Sequence, residues 1–243
     1  MTTDEMTKPS TLYLIPTPIA EDALHTLPPY ALAVARRLEV FIVERAKTAR
    51  HFIKSIGPER PLPELTFVEL PDNRSADEAE AALLTAARAG RDVGLLSEAG
   101  CPGVADPGAA IVALAHREGL RVVPLVGPSS LLLALMASGM NGQRFAFHGY
   151  LSPKRPELAA DLRRLEQLVA RHDQQTQLFI ETPYRSQMVL EVALEALQPG
   201  TRFCVAQDLT GAAELLRSLP VKEWRQRPPL VLEKLPAVFL VGK

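Results

Sequence analysis

Apolar residues in the first half of the chain fall into short, uninterrupted runs instead of alternating with polar residues. Runs of this kind are typical of strands that are buried on both faces of a parallel sheet. The pattern therefore predicts five such strands, at Leu12–Ile15, Val40–Val43, Thr66–Glu69, Val93–Leu96 and Val122–Leu125.

The segments between the later runs have helical composition, and each is followed directly by a glycine, a common residue just beyond a helix C-terminus. The predicted helices are Ala76–Ala89, Ala109–Glu118 and Pro128–Ser138. Strand and helix therefore alternate, which predicts an α/β layer structure with right-handed crossovers.

The second half of the chain has a less regular order of elements. Its predicted strands are Phe145–Leu151, Gln177–Glu181, Arg202–Ala206 and Ala237–Val241. Its predicted helices are Gln187–Leu197 and the amphipathic Glu157–Arg171, with Leu158, Leu162, Leu165 and Leu168 on one face. Because helices do not separate all of these strands, we expect a mixed sheet.

Charge divides the chain near Val126. The formal net charge is −1, but residues 1–126 hold 13 basic and 17 acidic side chains, whereas residues 127–243 hold 14 and 11. We therefore expect two domains, an N-terminal α/β domain at 1–126 and a C-terminal α/β domain at 127–243. The near-zero net charge excludes a protein that is held to nucleic acid by overall basicity alone.

Several features indicate the compartment. The polar segment Met1–Ser10 contains no hydrophobic signal core, and the longest apolar run, Leu131–Ala137, is too short to span a bilayer. Cys101 and Cys204 cannot make a disulfide framework and are typical of reduced thiols. We therefore expect a soluble cytoplasmic protein without membrane contact.

Residues 97–108, with the sequence SEAGCPGVADPG, carry the strongest local signal for a ligand site. They follow a predicted strand, and loops at the carboxyl edge of a parallel sheet are the favoured ligand position in open α/β folds. The alternative is a structural turn in which Asp106 lies near the helix start as a cap. No dinucleotide-binding or P-loop glycine motif is present, and no metal-ligand spacing occurs, so no metal is expected.

Taken in order, six segments resemble the tetrapyrrole methylase family, the class III S-adenosylmethionine-dependent methyltransferases. The segments are Leu12–Ile19, Ser97–Gly108, Val122–Ser129, Phe145–Leu151, Phe179–Arg185 and Val205–Thr210. The branch that they resemble most is the bacterial 16S ribosomal RNA cytidine 2′-O-methyltransferases. The resemblance implies two α/β domains with S-adenosylmethionine in the cleft between them, and a homodimer.

The resemblance also implies which residues contact the cofactor. They are Ser97, Glu98, Ala99, Gly100 and Val104 in the first domain, Ser129 at the hinge, and His148, Gly149, Tyr150, Thr182, Asp208 and Leu209 in the second.

The chain departs from this branch mainly on the acceptor side. An acid-acid-Thr-Arg block after the second strand is here Glu44–Lys47, and an Arg-Glu pair is Gln207–Asp208. Three functions therefore stay open. The acceptor is ribosomal RNA at a ribose 2′-hydroxyl, or it is a tetrapyrrole or other small metabolite, or the chain is a non-catalytic S-adenosylmethionine-binding module.

Glu44 and Arg185 are the candidate catalytic residues. Glu44 fits a general base or a residue that orients a hydroxyl, and the alternative is a solvated charge at a strand end. Arg185 follows a predicted strand and could face the cleft, and the alternative is a surface arginine that holds a loop. Cys101 has no sequence neighbour that lowers its pKa, so we expect it to pack and not to react. His148 has two interpretations. It contacts the cofactor, or it is a half-buried histidine whose hydrogen bonds lie within the fold.

A basic stretch in the second half is the candidate RNA contact. It consists of Lys154, Arg155, Arg163, Arg164 and Arg171, and its alternative is the solvated face of a helix. Aromatic residues make up only 5% of the chain, so any RNA binding would rest on phosphates and shape.

Overall fold

The computed structural model describes residues 10–70 and 77–243. Ala76, the predicted first residue of a helix, lies outside the described residues. Residues 1–9 of the polar N-terminal segment also lie outside them. The chain divides into two compact units, Met1–Pro128 and Ser129–Lys243, which we call unit 1 and unit 2.

Unit 1 is built on a sheet of short apolar strands. They are β1 (Thr11–Ile15), β2 (Val40–Val43), β3 (Thr66–Glu69), β4 (Val93–Leu96) and β5 (Arg121–Pro124). All neighbouring strands are parallel, in the order β3-β2-β4-β1-β5, which confirms the predicted parallel sheet. β2 and β4 are buried along their whole length, whereas the edge strands β3 and β5 are partly exposed.

Helices cover both faces of this sheet. They are α1 (Pro29–Arg37), α2 (Ala46–Ile56), α3 (Asp77–Arg88) and α4 (Ala109–Arg117), with 3-10 helices at Ala23–Thr26 and Leu62–Glu64. Successive strand residues point to opposite faces. Phe41 therefore packs in one core with Val34 and Ile53, whereas its neighbour Ile42 packs in another with Leu83 of α3.

Unit 2 contains a second five-stranded sheet. Its strands are β6 (Phe145–Tyr150), β7 (Thr176–Glu181), β8 (Arg202–Gln207), β9 (Leu215–Pro220) and β10 (Ala237–Gly242). Their order is β6-β7-β10-β8-β9. β6 and β7 are parallel, whereas β10 is antiparallel to β7 and β8, and β9 is antiparallel to β8. The predicted mixed sheet is thereby confirmed, and β9 is an additional strand.

The helices of unit 2 are α5 (Ser130–Ser138), α6 (Arg155–Arg171), α7 (Ser186–Ala196) and α8 (Val221–Gln226). The predicted amphipathic stripe of α6 is present, because Leu158, Leu162 and Leu165 are fully buried. They pack in one core with Phe179 and Phe239, whose rings stack 5.3 Å apart.

Three helices of unit 2, α5, α6 and α7, begin one or two residues from their predicted starts. α5 begins at Ser130 and not at Pro128, since Ser129 holds the N-cap position with extended backbone (φ −132°, ψ 118°). The end is as predicted, because Gly139 adopts a left-handed φ of 70° just beyond the last turn. Within residues 10–70 and 77–243, no helix has both the length and the apolarity that crossing a bilayer requires.

Candidate functional site

The candidate residues of unit 1 lie at one edge of its sheet. Because β1, β2, β4 and β5 run parallel, the residues that follow them share the carboxyl edge. These residues include Thr17, Glu44, Ser97 and Leu125. Open α/β sheets bind their ligands at this edge.

The loop at residues 97–108 is fixed by hydrogen bonds to the residue that follows β1. The N–H of Thr17 donates to the carbonyl of Gly100 at 2.9 Å, and the N–H of Gly100 donates back to the carbonyl of Thr17 at 3.1 Å. The buried Ser97 hydroxyl also donates to the Gly100 carbonyl, at 2.9 Å. These hydrogen bonds hold the start of the loop in one conformation, which lowers the entropy cost of binding a ligand there.

The tip of this loop exposes its backbone. Gly103 has a left-handed φ of 76°, and a Cβ added there would meet no atom within 4 Å. Its neighbour Val104 is 48% exposed, and Ala105 has a φ of 61°, which is uncommon for a residue with a side chain. The tip therefore offers an open backbone and an apolar side chain to a ligand.

Two acidic residues connect the ends of β2 and β4. A carboxylate oxygen of Glu44 accepts a hydrogen bond from the N–H of Glu98 at 3.0 Å. The exposed Glu98 carboxylate accepts from the Thr48 hydroxyl at 2.6 Å. Glu44 is therefore more than a solvated charge at a strand end, because it holds the first part of the 97–108 loop.

Asp106 does not cap the following helix. The N-cap of α4 is Gly108, with a φ of 124° and no side-chain hydrogen bond, so the N-cap interpretation is wrong. Asp106 is instead half-buried. Burial and the negative charge of Glu44 raise the pKa of its carboxyl to about 6, although the nearby Ser97 hydroxyl opposes the shift. A carboxyl with this pKa exchanges its proton near neutral pH, as general acids and bases do.

Cys101 packs against the backbone as expected. Its half-buried thiol lies 3.4 Å from the carbonyl oxygen of Pro128. Burial and the charge of Asp106 raise the pKa of the thiol, which is the reverse of what a nucleophile needs.

A cavity of about 450 Å³ adjoins this loop within unit 1. Its lining combines the loop after β1, one face of α2 and the start of the 97–108 loop: Thr17, Pro18, Glu21, Asp22, Ala23, Leu24, Thr48, Ala49, His51, Phe52, Ser55, Ser97 and Glu98. The α2 wall of the cavity was not predicted from the sequence. The helical spacing of Thr48, Phe52 and Ser55, directly after the Glu44–Lys47 block, could have indicated it.

In unit 2 the candidate residues also lie near one sheet edge. β6, β7 and β8 end at Tyr150, Glu181 and Gln207, and the last two both pair with Ala237 of β10. His148, Gly149 and Tyr150 lie in the last part of β6, whereas Thr182, Asp208 and Leu209 follow β7 and β8.

The end of β6 contains a bulge. Phe147 is opposite Leu178 but Tyr150 is opposite Ile180, and Gly149 has a left-handed φ of 65°. Tyr150 is 61% exposed beyond the bulge. His148 is half-buried, with Nε2 2.7 Å from Oε1 of the buried Gln177, so its ring has a partner inside the fold.

Asp208 and Leu209 form a tight turn after β8. Asp208 has a φ of 48°, and its carboxylate accepts a hydrogen bond from the N–H of Ala213 at 2.9 Å. Leu209 is buried, so its side chain packs within the fold.

Arg185 is held within the fold. Its Nη2 donates to the carbonyl of Ser152 at 2.9 Å and lies 2.9 Å from Oε2 of the buried Glu181. Glu181 in turn accepts from the N–H of Thr182 at 2.7 Å. This geometry corresponds to an arginine that holds loops together.

The basic stretch is partly neutralised. Lys154 pairs with Glu157, Arg164 with Asp161, and Arg155 with Glu191 and Glu195. Among residues 10–70 and 77–243, no group of three or more His, Cys, Asp or Glu side chains has a metal-binding arrangement.

The two sheets and their edge loops define a two-domain α/β protein with candidate ligand loops after the parallel strands of each sheet. The chain belongs to the tetrapyrrole (corrin/porphyrin) methylases, because the model of that family matches residues 11–224.

Two curated relatives are similar to this chain in sequence. The chain is 34% identical over 180 residues to Ribosomal RNA small subunit methyltransferase I of Xylella fastidiosa, covering 74% of this chain and 61% of that protein. It is 32% identical over 213 residues to the protein of the same name from Pseudomonas aeruginosa, covering 88% of this chain and 71% of that protein. The chain thus spans less than two thirds of the Xylella relative.

Uroporphyrin-III C-methyltransferase from Thermus thermophilus, solved in complex with S-adenosylhomocysteine, has a TM-score of 0.55 at 19% identity, over 96% of this chain and 98% of that one. This likeness shows the shared fold.

Proposed function

We propose that the chain is a methyltransferase that uses S-adenosylmethionine and modifies a ribose 2′-hydroxyl of ribosomal RNA. The observation that carries the proposal is the ordered loop at residues 97–108, at the carboxyl edge of the parallel sheet, in a chain of the methylase family. The names of the two curated relatives support the RNA acceptor.

The 97–108 loop fits this cofactor. The open backbone at Gly103 admits polar groups of the ligand, and the exposed Val104 side chain suits one face of an adenine ring. When bound, S-adenosylmethionine supplies a methyl group on a positively charged sulfur. The Glu98 carboxylate attracts that charge, and Ser97, Ala99 and Gly100 shape the same loop.

The family resemblance also assigns cofactor contacts to Ser129 and to loops of unit 2. The exposed Tyr150 and Thr182 and the partly exposed Gly149 are available for them, whereas Leu209 is buried and shapes the loop after β8. The side chains of His148 and Asp208 are engaged within the fold, so they shape the loops from which these contacts are made.

Methyl transfer to a hydroxyl forms a C–O bond, breaks a C–S bond with its electron pair going to sulfur, and releases the hydroxyl proton. The chain must therefore align the reacting atoms and accept a proton. The Thr17–Gly100 hydrogen bonds support alignment by fixing the loop beforehand. The raised pKa of Asp106, about 6, favours this residue over Glu44 as the proton acceptor, because Glu44 is engaged with the loop backbone.

A second function is favoured by the 450 Å³ cavity of unit 1. Its size is typical of small-molecule sites. Among the described residues, its lining includes Glu21, Asp22 and Glu98 but no lysine or arginine. An acidic cavity disfavours phosphate groups and suits an acceptor that carries hydrogen-bond donors. This feature favours a small metabolite as the acceptor.

The chain acts as a homodimer in the cytoplasm, in agreement with the family resemblance. Unit 2 exposes apolar side chains that a second copy would cover: Phe145 and Phe147 on the edge strand β6, and Leu132 and Met136 one turn apart on α5. The thiols of Cys101 and Cys204 are free, as is usual in a reducing compartment.

The first experiment measures cofactor binding. Calorimetry with S-adenosylmethionine and S-adenosylhomocysteine is expected to show binding to the parent protein. Gly103→Val is expected to lose it, since φ is 76° at this position. Gly142→Val is the matched control, because Gly142 has open space and no left-handed φ. No binding by the parent would overturn the proposal.

The second experiment identifies the acceptor. The enzyme is incubated with methyl-labelled cofactor and either purified ribosomal subunits or a metabolite extract. Label in RNA that protects one phosphodiester from alkaline cleavage supports ribose methylation, since cleavage needs a free 2′-hydroxyl. Label only in metabolites supports the second function, and cofactor binding without label in either fraction supports a non-catalytic module.

A further inference from the structure

Glu181 and Arg185 form an ion pair at the point where β7 passes into α7. The Glu181 side chain is 1% exposed and that of Arg185 is 27% exposed. Both lie on the same segment, four residues apart, and Arg185 holds the N-cap position of α7. The pair is thus built into the loop that follows β7.

The hydrogen bonds of this pair reach two different loops. One carboxylate oxygen of Glu181 accepts from the N–H of Thr182, in the loop after β7. The guanidinium of Arg185 donates to the carbonyl of Ser152, in the loop after β6. The N–H of Ser152 donates to Asp161 of α6 at 3.1 Å, so this residue is bonded on both sides.

We propose that Glu181 and Arg185 are positioning residues that couple the loop after β6 to the loop after β7, so that Tyr150 and Thr182 are held as one surface. This inference rests on the proposed function, in which both loops contact S-adenosylmethionine. Arg185 acts through the backbone of Ser152 and is not itself the catalytic group.

A purely stabilising role is the competing explanation. A buried ion pair gains little over a well-packed apolar pair, because desolvation of two charges offsets their attraction. An apolar pair at these positions would restore the packing but not the hydrogen bond to the Ser152 carbonyl. Stability and loop coupling are therefore separable by substitution.

The test compares Arg185→Met, Arg185→Lys and the double variant Glu181→Met/Arg185→Met with a control. Arg144→Met is the matched control, because it removes the exposed ion pair of Arg144 with Asp173 elsewhere in unit 2. For each protein we measure the melting temperature, the dissociation constant for S-adenosylhomocysteine, and hydrogen exchange in peptides that cover residues 148–154 and 180–186.

Arg185→Met is expected to speed exchange in both loops and to weaken S-adenosylhomocysteine binding by about tenfold, the usual effect of losing a charge-assisted hydrogen bond. The double variant is expected to recover the melting temperature but not the affinity. Arg185→Lys is expected to recover part of both, and Arg144→Met is expected to resemble the parent.

Faster exchange confined to residues 180–186 would overturn the coupling, as would full recovery of affinity in the double variant. If the parent does not bind S-adenosylhomocysteine, the proposed function fails. In that case the exchange data still decide whether the two loops are coupled.

Discussion

Glu44 and the backbone N–H of Glu98 are hydrogen-bonded at 3.0 Å, although 54 positions separate them in the sequence. The contact exists because β2 and β4, which precede them, are neighbours in the sheet. A carboxylate in this position fixes the start of the 97–108 loop, and its role as a general base is a separate question that substitutions can answer.

Glu44→Gln is expected to keep cofactor affinity within about threefold, because an amide oxygen still accepts from the N–H of Glu98. Glu44→Ala is expected to weaken it by about tenfold, equivalent to one hydrogen bond to a charged group. Calorimetry and steady-state kinetics test this. Glu39→Gln, which affects an exposed ion pair with Arg60 before β2, is the control. A loss of kcat by a hundredfold in Glu44→Gln at unchanged affinity would instead identify a general base.

Asp106 is expected to make stability fall as the pH rises. Its pKa is raised from 3.8 to about 6 in the folded protein, so the folded state keeps a proton that the unfolded chain loses first. The free energy of unfolding therefore decreases between these two values and is level above about 6. Because the residue is only half-buried, screening leaves a small effect, and Asp106→Asn is expected to melt about 2–4 °C higher at pH 7.5.

Calorimetric melting temperatures from pH 3.5 to 8 test this prediction. Below 3.8 both proteins are uncharged at this position, so the curves of parent and variant should converge there. The same variant is expected to lower kcat by at least a hundredfold if Asp106 accepts the proton. Unchanged kcat with a raised melting temperature would leave the thermodynamic prediction intact and remove the catalytic one.

Gly127→Ala is expected to destabilise unit 1. A Cβ at this position would overlap Cβ and Cγ of Pro16, a ring that cannot rotate away. Overpacking of this kind costs about 1–3 kcal/mol in the free energy of unfolding. Urea denaturation measures the loss, with Gly142→Ala as the control. Equal stability of the two variants would show that the loop after β5 moves without cost.

Neither cysteine is expected to act as a nucleophile. Burial raises the pKa of the Cys204 thiol to about 12, and burial with the charge of Asp106 raises that of Cys101. Cys101→Ser should therefore retain kcat within about twofold, and both thiols should react slowly with a disulfide reagent at pH 7.5. Rapid modification of Cys101 accompanied by loss of activity would contradict this expectation.

The proposed homodimer is expected to depend on the exposed apolar side chains of unit 2. Met136→Asp and Phe147→Asp place a charge where a second copy would bury it, so sedimentation should show monomers. Tyr30→Asp changes an exposed aromatic residue of unit 1 and serves as the control. A parent protein that sediments as a monomer at micromolar concentration would refute the dimer.

The strands that the sequence predicts with the observed bounds are β2, β3 and β4, each of which is marked by a short run of residues between proline or polar segments. β2 and β4 are buried on both faces, and their apolar runs match the observed bounds. β9 is partly exposed along its whole length, so neither an apolar run nor an alternation marks it. The buried residues of α2 are Ala46, Ala49, Ile53 and Ile56, and polar residues separate them. This apolar pattern indicates a helix less clearly than an uninterrupted apolar run indicates a strand.

The candidate site was predictable in its loops but not in its contacts. Local composition identifies the 97–108 segment because glycines and prolines follow a strand. The partners of Glu98 and Arg185 depend on which strands are neighbours in the sheet. Strand order cannot be predicted from a short segment of the sequence. The same holds for the α2 wall of the cavity, which the topology places beside the loop.

The position of β10 in the second sheet has a consequence for synthesis. β10 lies between β7 and β8, so both of these strands lack a hydrogen-bonding neighbour on one side until Ala237–Gly242 are in place. During translation, the nascent unit therefore exposes two open strand edges until nearly all of it has left the ribosome. Such edges are aggregation hazards, and this part of the chain would draw on chaperones more than the first, whose five strands precede residue 125.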